Sequence, residues 1–480
     1  MIGRKREIAE LQELYKGKNA ELVAVYGRRR VGKTYLVDET FKGRITFRHA
    51  GLSPIEEADS SKERPIKKQL RAFYYSLISQ GMEKDHLPED WLEAFFMLEM
   101  HLQNIDDGSR QVIFFDELPW MDTPKSGFIT AFESFWNGWA CHRNVMVIVA
   151  GSANSWIKDK LINNHGGLYG RVTHEIKLSP FSLLECELLL KDRGISLSRY
   201  DVVQSYMIFG GIPFYLNYFQ RGKSLAQNVD ELFFSKGAKL LLEYDRLFSS
   251  IFSNPEEMKK IVKALAGRSK GYTRQELTEL TTFSDGGTLS KALKGLIASD
   301  FVMSYNPFGE GKRKEYYKLI DPFCLFYLKF VANHNSLSEK FWQQNVTSQN
   351  IVTWRGYAFE NVCFNHISQI KKALGISGIS SSESAWTKIG ENERGTQIDM
   401  IISRNDNVVN MCEIKFYSDI FVVDKDYDLV LRNRKGLLSD NIPKKSTIHT
   451  TLITTYGIKE NEYRWSFDNV ITMDDLFCDV

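Results

Sequence analysis

Residues Glu21–Thr34 read ELVAVYGRRRVGKT: an apolar run from Leu22 to Val25 enters Gly27-x4-Gly32-Lys33-Thr34, and helix-favouring residues follow from Tyr35. A strand, a glycine-bent loop and a helix in that order make a phosphate cradle. Gly27 and Gly32 let the backbone curl so that successive N–H groups point inward. The first turn of the helix adds the positive end of its dipole. Lys33 is placed to reach the β- and γ-phosphates of a nucleoside triphosphate such as ATP, and Thr34 to hold Mg2+ through its hydroxyl. Arg28, Arg29, Arg30, Val31 and Tyr35 complete the nucleotide-binding stretch, the three arginines reading as solvated or carboxylate-bonded rather than catalytic.

Downstream, Val112-Ile113-Phe114-Phe115-Asp116-Glu117 is a buried-type strand ending in two carboxylates. In an α/β sheet its tip falls at the carboxyl edge, where ligands bind. Asp116 suits a Mg2+-bound water and Glu117 a general base acting on the attacking water. Without the upstream loop the same run reads equally as a solvated acidic turn. A further apolar run, Val145–Ala150, leads into Gly151-Ser152-Ala153-Asn154, where Ser152 or Asn154 is positioned to orient water or sense a γ-phosphate. Arg171 closes the glycine-rich turn Gly166–Gly170. It reads either as a surface salt-bridge arginine or as a charge stabiliser for the transferring phosphoryl group, within its own subunit or across to a neighbour.

At 480 residues, with 43% hydrophobic and 25% charged residues, the chain has material for about three globular cores. A net charge of +2 removes any whole-chain electrostatic argument for nucleic acid, so such an argument has to be local. Six scattered cysteines without a CxxC pair read as free thiols in a reducing cytoplasm, and nine histidines without HExxH or HxH spacing argue against zinc. The charged amphipathic start, MIGRKREIAELQEL, is unlike a signal peptide. No run approaches the roughly 18 apolar residues of a membrane span, and the most apolar, Phe323–Ala332, carries Lys329. A soluble cytoplasmic protein without a membrane partner is expected.

Strands alternating with helices predict a doubly wound α/β domain over 1–180, and a helical segment broken at Gly210-Gly211-Ile212-Pro213 follows over 181–254. Over 255–345, helical patterns at Glu256–Ala266, Arg274–Leu280 and Thr288–Ser299 precede a two-stranded ribbon, Phe301–Tyr305 and Glu315–Leu319, which spells a winged helix-turn-helix. Lys291, Lys294 and Arg274, with Lys312, Arg313 and Lys314 on the wing, are candidate DNA phosphate contacts, although such modules also dock proteins. The last region, 346–480, opens with a predicted helix over Arg355–Lys372, then strands at Gln397–Ser403, Asn407–Tyr417 and Ser446–Thr454.

Ile2-Gly3-Arg4…Glu7, YGRRRVGKT, FFDEL, GSANSW and GRVTHEIKLSPFS together resemble the AAA+ branch of P-loop ATPases, and more closely its archaeal-type ATPase family. The resemblance implies ATP or ADP with Mg2+, that Ile2, Gly3 and Arg4 border the adenine, and that Gly211, Ile212 and Pro213 in a helical lid lie near the nucleotide. AAA+ relatives are often rings, so a homo-oligomer is also among the expectations.

In the C-terminal region, Asp399 lies in a strand-like run and Glu413 and Lys415, two apart in the next, share a strand face. A hairpin turned at Arg404–Asn407 brings Asp399 beside them, and Glu360 on the preceding helix offers a further acid. Asp399, Glu413 and Glu360 are candidate ligands for Mg2+ or Mn2+, with Lys415 positioning a nucleophile or balancing charge. The arrangement resembles the PD-(D/E)xK nuclease core, with Ile398 where proline often stands, and implies a restriction-endonuclease-like domain. The functional expectations are nucleotide-controlled DNA binding with or without metal-dependent cleavage, a nucleotide-gated switch for protein partners carrying an inert nuclease-like domain, or a dedicated nuclease effector for which the ATPase is the sensor.

Overall fold

The computed structural model describes residues 2–53, 64–252, 254–281, 283, 286–308, 315–332, 338–388 and 396–480. The chain divides into two compact units: Met1–Pro180 with Asp245–Glu256 and Lys294–Ser299, and Phe181–Tyr244 with Glu257–Leu293 and Asp300–Val480.

In the first unit five strands form one parallel sheet: β1 (Glu21–Gly27), β2 (Ile45–Ala50), β3 (Gln111–Asp116), β4 (Val145–Gly151) and β5 (His174–Leu178), in the order β2-β3-β4-β1-β5. β3 and β4 are buried at every position, because a parallel sheet is covered on both faces and leaves no solvent side to pattern. Helices Pro65–Ser79, Trp91–Asn104 and Phe128–Gly138 supply an aromatic core with the sheet: the Phe95 ring lies 5.1 Å from Phe135, 5.9 Å from Phe132 and 6.0 Å from Phe115. The order places β4 between β1 and β3. The phosphate-type loop after β1, Ser152 after β4 and Asp116 at the end of β3 therefore meet at one carboxyl edge. Strand β5 was not anticipated. It is an edge strand whose His174, Glu175 and Lys177 are not buried, so it lacks the apolar run that marks its neighbours.

In the second unit helices occupy Leu183–Asp192, Arg199–Phe209 and, further on, Pro322–Phe326. Phe326, Phe330, Trp342 and Trp354 pack edge to face with ring centroids 5.1 to 5.9 Å apart. Buried Asp230 accepts from the backbone N–H of Trp342 (2.7 Å) and of Gln343 (3.0 Å), satisfying donors at the start of helix Phe341–Asn345. The ribbon expected from the sequence gains a third strand: β6 (Tyr272–Thr273), β7 (Val302–Tyr305) and β8 (Tyr316–Leu319) run antiparallel in the order β6-β8-β7. Two residues are too few to leave a periodic signal. Lys312, Arg313 and Lys314 lie outside the described residues.

The C-terminal sheet has the order β13-β12-β11-β10-β9, formed by β9 (Ser381–Lys388), β10 (Thr396–Arg404), β11 (Val408–Lys415), β12 (Thr447–Thr454) and β13 (Asn469–Thr472). β9, β10 and β11 are antiparallel neighbours, whereas β11, β12 and β13 are parallel, with helix Lys425–Ser439 between β11 and β12 in sequence. The register of β10 against β9 shifts between Ile398 and Ile401, so both isoleucines enter the same core although they stand three apart.

The single helix expected over Arg355–Lys372 is two, Gln349–Asn365 and Ile367–Ala373, broken at His366. The buried imidazole explains the break. Its Nε2 accepts from the Leu183 backbone N–H (3.0 Å), which leaves Nδ1–H to donate to the Val362 carbonyl (2.8 Å). Burial holds its pKa down at about 4. The unfolded chain therefore takes up a proton near the ordinary value while the folded one does not. Stability from this group is complete above about pH 6.5 and is lost as pH falls towards 4. His366→Phe, which leaves the Leu183 N–H unpaired, should cost about 1–3 kcal/mol at neutral pH. In chemical denaturation the gap between the variant and wild type should narrow from pH 7 to pH 4.5.

Candidate functional site

The loop between β1 and helix Lys33–Thr40 depends on its glycines. Gly27 has φ 154°, and a Cβ there would stand 2.2 Å from the Leu178 carbonyl oxygen. Gly32, at φ 94°, makes the left-handed step into the helix. Lys33 is buried, and its ammonium donates to the carbonyls of Gly27 and Arg28 at 3.1 Å each. Burial pulls its pKa below the usual lysine value, against the opposing charges of Glu117 and Asp116. Thr34 Oγ1 donates to Asp116 Oδ2 at 2.7 Å, joining the loop to the tip of β3. Burial lifts the Asp116 carboxyl above its ordinary range; the Thr34 bond works against that shift and the Glu117 charge reinforces it.

Glu117 adopts φ 45°, a left-handed conformation uncommon for a residue with a side chain. Its Oε2 accepts from the Ser152 backbone N–H (3.0 Å) and from Ser152 Oγ (2.9 Å). Ser152, expected to touch water or phosphate, instead fixes the carboxylate of Glu117. Asn154 opens helix Asn154–Ile157.

Among the remaining residues of the expected site, Arg4 donates to the Val31 carbonyl (3.3 Å) and the Ser179 carbonyl (2.6 Å) and pairs with Glu7 (3.5 Å). It thereby ties the segment carrying Ile2 and Gly3 to the loop. Arg28 and Val31 bury their side chains, so they can contribute to a cradle only through their backbone. Arg29 donates to the Arg246 carbonyl at 3.4 Å, Arg30 has φ 71°, and Tyr35 is exposed. Arg171 is exposed, its N–H donating to the Leu168 carbonyl (3.0 Å). In the second unit Ile212 is fully buried and Pro213 opens helix Pro213–Leu216.

The donors fit Mg2+ on the nucleotide side: a hydroxyl and a carboxylate stand side by side, and hard oxygen ligands are what that ion takes.

The C-terminal residues are arranged differently from expectation. Glu413 has no solvent exposure, and Arg434 Nη1 lies 2.6 Å from both of its carboxylate oxygens. Tyr427 donates to Glu413 Oε2 at 3.0 Å and Lys415 at 3.4 Å. Asp399 Oδ2 accepts from the Ile414 N–H (2.9 Å) and from Lys415 (3.4 Å). Burial opposes the Lys415 charge, but Asp399, Tyr427 and Glu413 outweigh it and the pKa rises. Burial, followed by the charge of Asp399, pushes Glu360 up to about 7. Among the described residues no three His, Cys, Asp or Glu side chains form a group able to hold a metal. The expectation that Glu360, Asp399 and Glu413 form one Mg2+ or Mn2+ site is corrected for this arrangement: Glu413 is bonded to Arg434, and the three acids as they stand do not make a metal-binding group. Nothing in the sequence pattern marked Arg434 or Tyr427, because their helix contacts β11 only through the tertiary fold.

The parallel sheet, the glycine-bent loop and the Thr34–Asp116 junction define an α/β P-loop ATPase fold. Residues 1–219 match the model of a family described as an ATPase domain predominantly from Archaea. These residues therefore carry a P-loop ATPase domain, which binds and hydrolyses ATP. Over 443 residues it is 24% identical to the uncharacterized protein MJECL04 of Methanocaldococcus jannaschii, covering 90% of each chain. Among solved structures, the Walker-type ATPase PABY2304 of Pyrococcus abyssi is 18% identical, with 69% of this chain and 96% of that one covered at a TM-score of 0.47. The ORC2 protein of Aeropyrum pernix, in ADPNP–ADP complexes, is 12% identical, with 68% and 92% covered and a TM-score of 0.42. No helix among the described residues is long and apolar enough to cross a membrane.

Two substitutions check these geometries. Ser152→Ala removes the side-chain one of the two bonds to Glu117, and should lower the ATPase kcat about tenfold with little change in ATP affinity, measured by steady-state hydrolysis and calorimetry. Arg434→Met leaves Glu413 buried and under-compensated, and should destabilise the fold by about 3–5 kcal/mol in denaturant titration.

Proposed function

We propose that the protein is an ATP-hydrolysing switch that binds DNA under nucleotide control. The observation that carries the reading is the continuous linkage from loop to water-activating group: Thr34 to Asp116, and Ser152 to the adjacent Glu117. Lys33 and the loop N–H groups hold the phosphates, with Ile2, Gly3 and Arg4 bordering the base. Thr34 and Asp116 hold Mg2+, which when bound neutralises charge on the phosphate oxygens. Glu117, fixed by Ser152, orients the attacking water and accepts its proton. Exposed Arg171 serves charge stabilisation within its own subunit or, in a homo-oligomer, a neighbour's.

We assign 181–254 as a helical lid, 255–345 as a winged helix and 346–480 as a nuclease-like domain. The helix-turn-helix reading is supported by helices Pro255–Leu265, Arg274–Thr281 and Gly286–Ala298, with β6 between the first two and β7 and β8 after the third. Lys291 and Lys294 are both exposed, three apart on the third helix, where one face can meet a phosphate backbone. All six cysteines are free thiols, in keeping with a reducing cytoplasm. Metal-dependent DNA cleavage is the second reading. It is favoured by Asp399 and Lys415 meeting across the β10–β11 hairpin, and it requires Glu413 to leave Arg434.

Lys33→Ala should abolish ATP binding, whereas Glu117→Gln should retain binding and accumulate the ATP-bound state. Wild-type hydrolysis rates in both variants would refute the assignment. The Lys291→Ala/Lys294→Ala double variant should weaken duplex binding and lower the slope of log K against log salt by about 2. An unchanged slope, measured by fluorescence anisotropy, would remove this helix from the DNA interface.

A further inference from the structure

Glu360 and Asp399 form part of two cavities at once. One is an open cleft of about 640 Å3 that also carries Lys415 and Arg434. The other is a largely enclosed cavity of about 10 Å3, little more than one water in size, shared with Lys318, Gln397, Phe364 and Tyr305. Glu360, Gln397 and Asp399 line both, whereas Lys318 lines the enclosed cavity and Lys415 and Arg434 line the cleft.

Lys318 does not come from the C-terminal sheet. It is on β8, the central strand of the three-stranded sheet. Only 6% of it is exposed, and its ammonium lies 5.0 Å from the centre of the Phe364 ring, one turn along the helix from Glu360. A buried ammonium is tolerated only beside compensating charge. The acidic side chains that line the enclosed cavity with it are Glu360 and Asp399. Cations already stand among these acids: Lys318 lines the enclosed cavity with Glu360 and Asp399, Lys415 bonds Asp399 and Glu413, and Arg434 bonds Glu413. A divalent cation entering from the cleft would meet acids that already have cationic neighbours.

We infer that Lys318 is a built-in counter-ion to Glu360 and Asp399, carried in by the three-stranded sheet, and that it keeps divalent metal out of the nuclease-like site until that strand is withdrawn. This rests on the nuclease-like reading of the C-terminal domain and adds a regulatory element to it. The sheet that belongs to the helix-turn-helix region also blocks the carboxylates, so displacing it opens the site. Lys415 and Arg434 cannot do this, since both reach their acids from the cleft side.

The test is Mn2+ binding to nucleotide-free full-length protein, followed by electron paramagnetic resonance, for wild type, Lys318→Met, Lys318→Arg, Asp399→Asn and the Lys318→Met/Asp399→Asn double variant. Wild type and Asp399→Asn should bind alike, because Asp399 takes no metal while Lys318 is in place. Lys318→Met should gain one Mn2+ with an affinity at least about tenfold above any wild-type site, and the double variant should lose it. Lys318→Arg, which keeps the charge, should behave as wild type. A folded Lys318→Met protein with unaltered binding overturns the inference, as does an Asp399-dependent Mn2+ site in wild type. Should Lys318→Met not fold, thermal melting of wild type and Asp399→Asn with Mn2+ decides: equal shifts support the inference and a larger wild-type shift overturns it. A parallel DNA cleavage assay separates the two readings. Metal gained by Lys318→Met without cleavage leaves the counter-ion standing and removes the nuclease. Asp399-dependent cleavage by wild type at the rate of Lys318→Met does the reverse.

Discussion

The hydrogen bond of 2.7 Å from Thr34 to Asp116 is the junction on which the nucleotide side of the molecule depends. It joins residues 82 apart in sequence, and it exists because β4 is inserted between β1 and β3, so that three strand ends open on one edge. Each partner is constrained from behind. Gly27 lets the loop pass against Leu178, and Arg4 fastens Val31 to Ser179. Ser152, at the end of the inserted strand, holds the residue next to Asp116. The cost is visible in the electrostatics: burial disfavours the charged forms of both Lys33 and Asp116, and their mutual attraction offsets part of it. A site held under such opposing terms gains most from a ligand that brings its own phosphate and metal charge.

The C-terminal site solves the opposite problem. Its acids are compensated from within, by one lysine on their own strand pair, one arginine on helix Lys425–Ser439 and one lysine from β8. Buried ion pairs seldom add net stability over apolar packing, because desolvation consumes the Coulomb gain. Their value is in specifying an arrangement. Here that arrangement is one in which both Glu413 oxygens are already bonded to Arg434, and in which a strand outside the C-terminal sheet contributes a charge to the cluster.

Much of the fold could be read from local pattern. Buried parallel strands announce themselves as continuous apolar runs, so β1, β3 and β4 are legible within two residues of their observed bounds. The same logic fails at sheet edges and at short strands. β5 alternates charged and apolar residues, β6 has two residues, and β9 and β13 are partly polar edge strands. The break at His366 is likewise invisible locally, since its cause is the N–H of Leu183, 183 residues away. In the candidate sites, Lys33, Thr34, Asp116 and Glu117 stand out because each lies beside a strand end in sequence. Ser152 drew attention for a different task from the one its hydrogen bonds show.

By itself the sequence determined the ATPase character: phosphate chemistry needs a glycine-bent loop, a lysine and a hydroxyl at fixed spacing, and chain-local spacing survives without any knowledge of the fold. It also determined which strands carry the C-terminal acids. Only the tertiary structure decided what those acids are bonded to. Arg434, Tyr427 and Lys318 come from elements distant in the chain, and charge compensation depends on distance in space. Spacing can nominate a set of carboxylates; whether they face a metal or a neighbouring ammonium is settled by how helices and sheets pack around them.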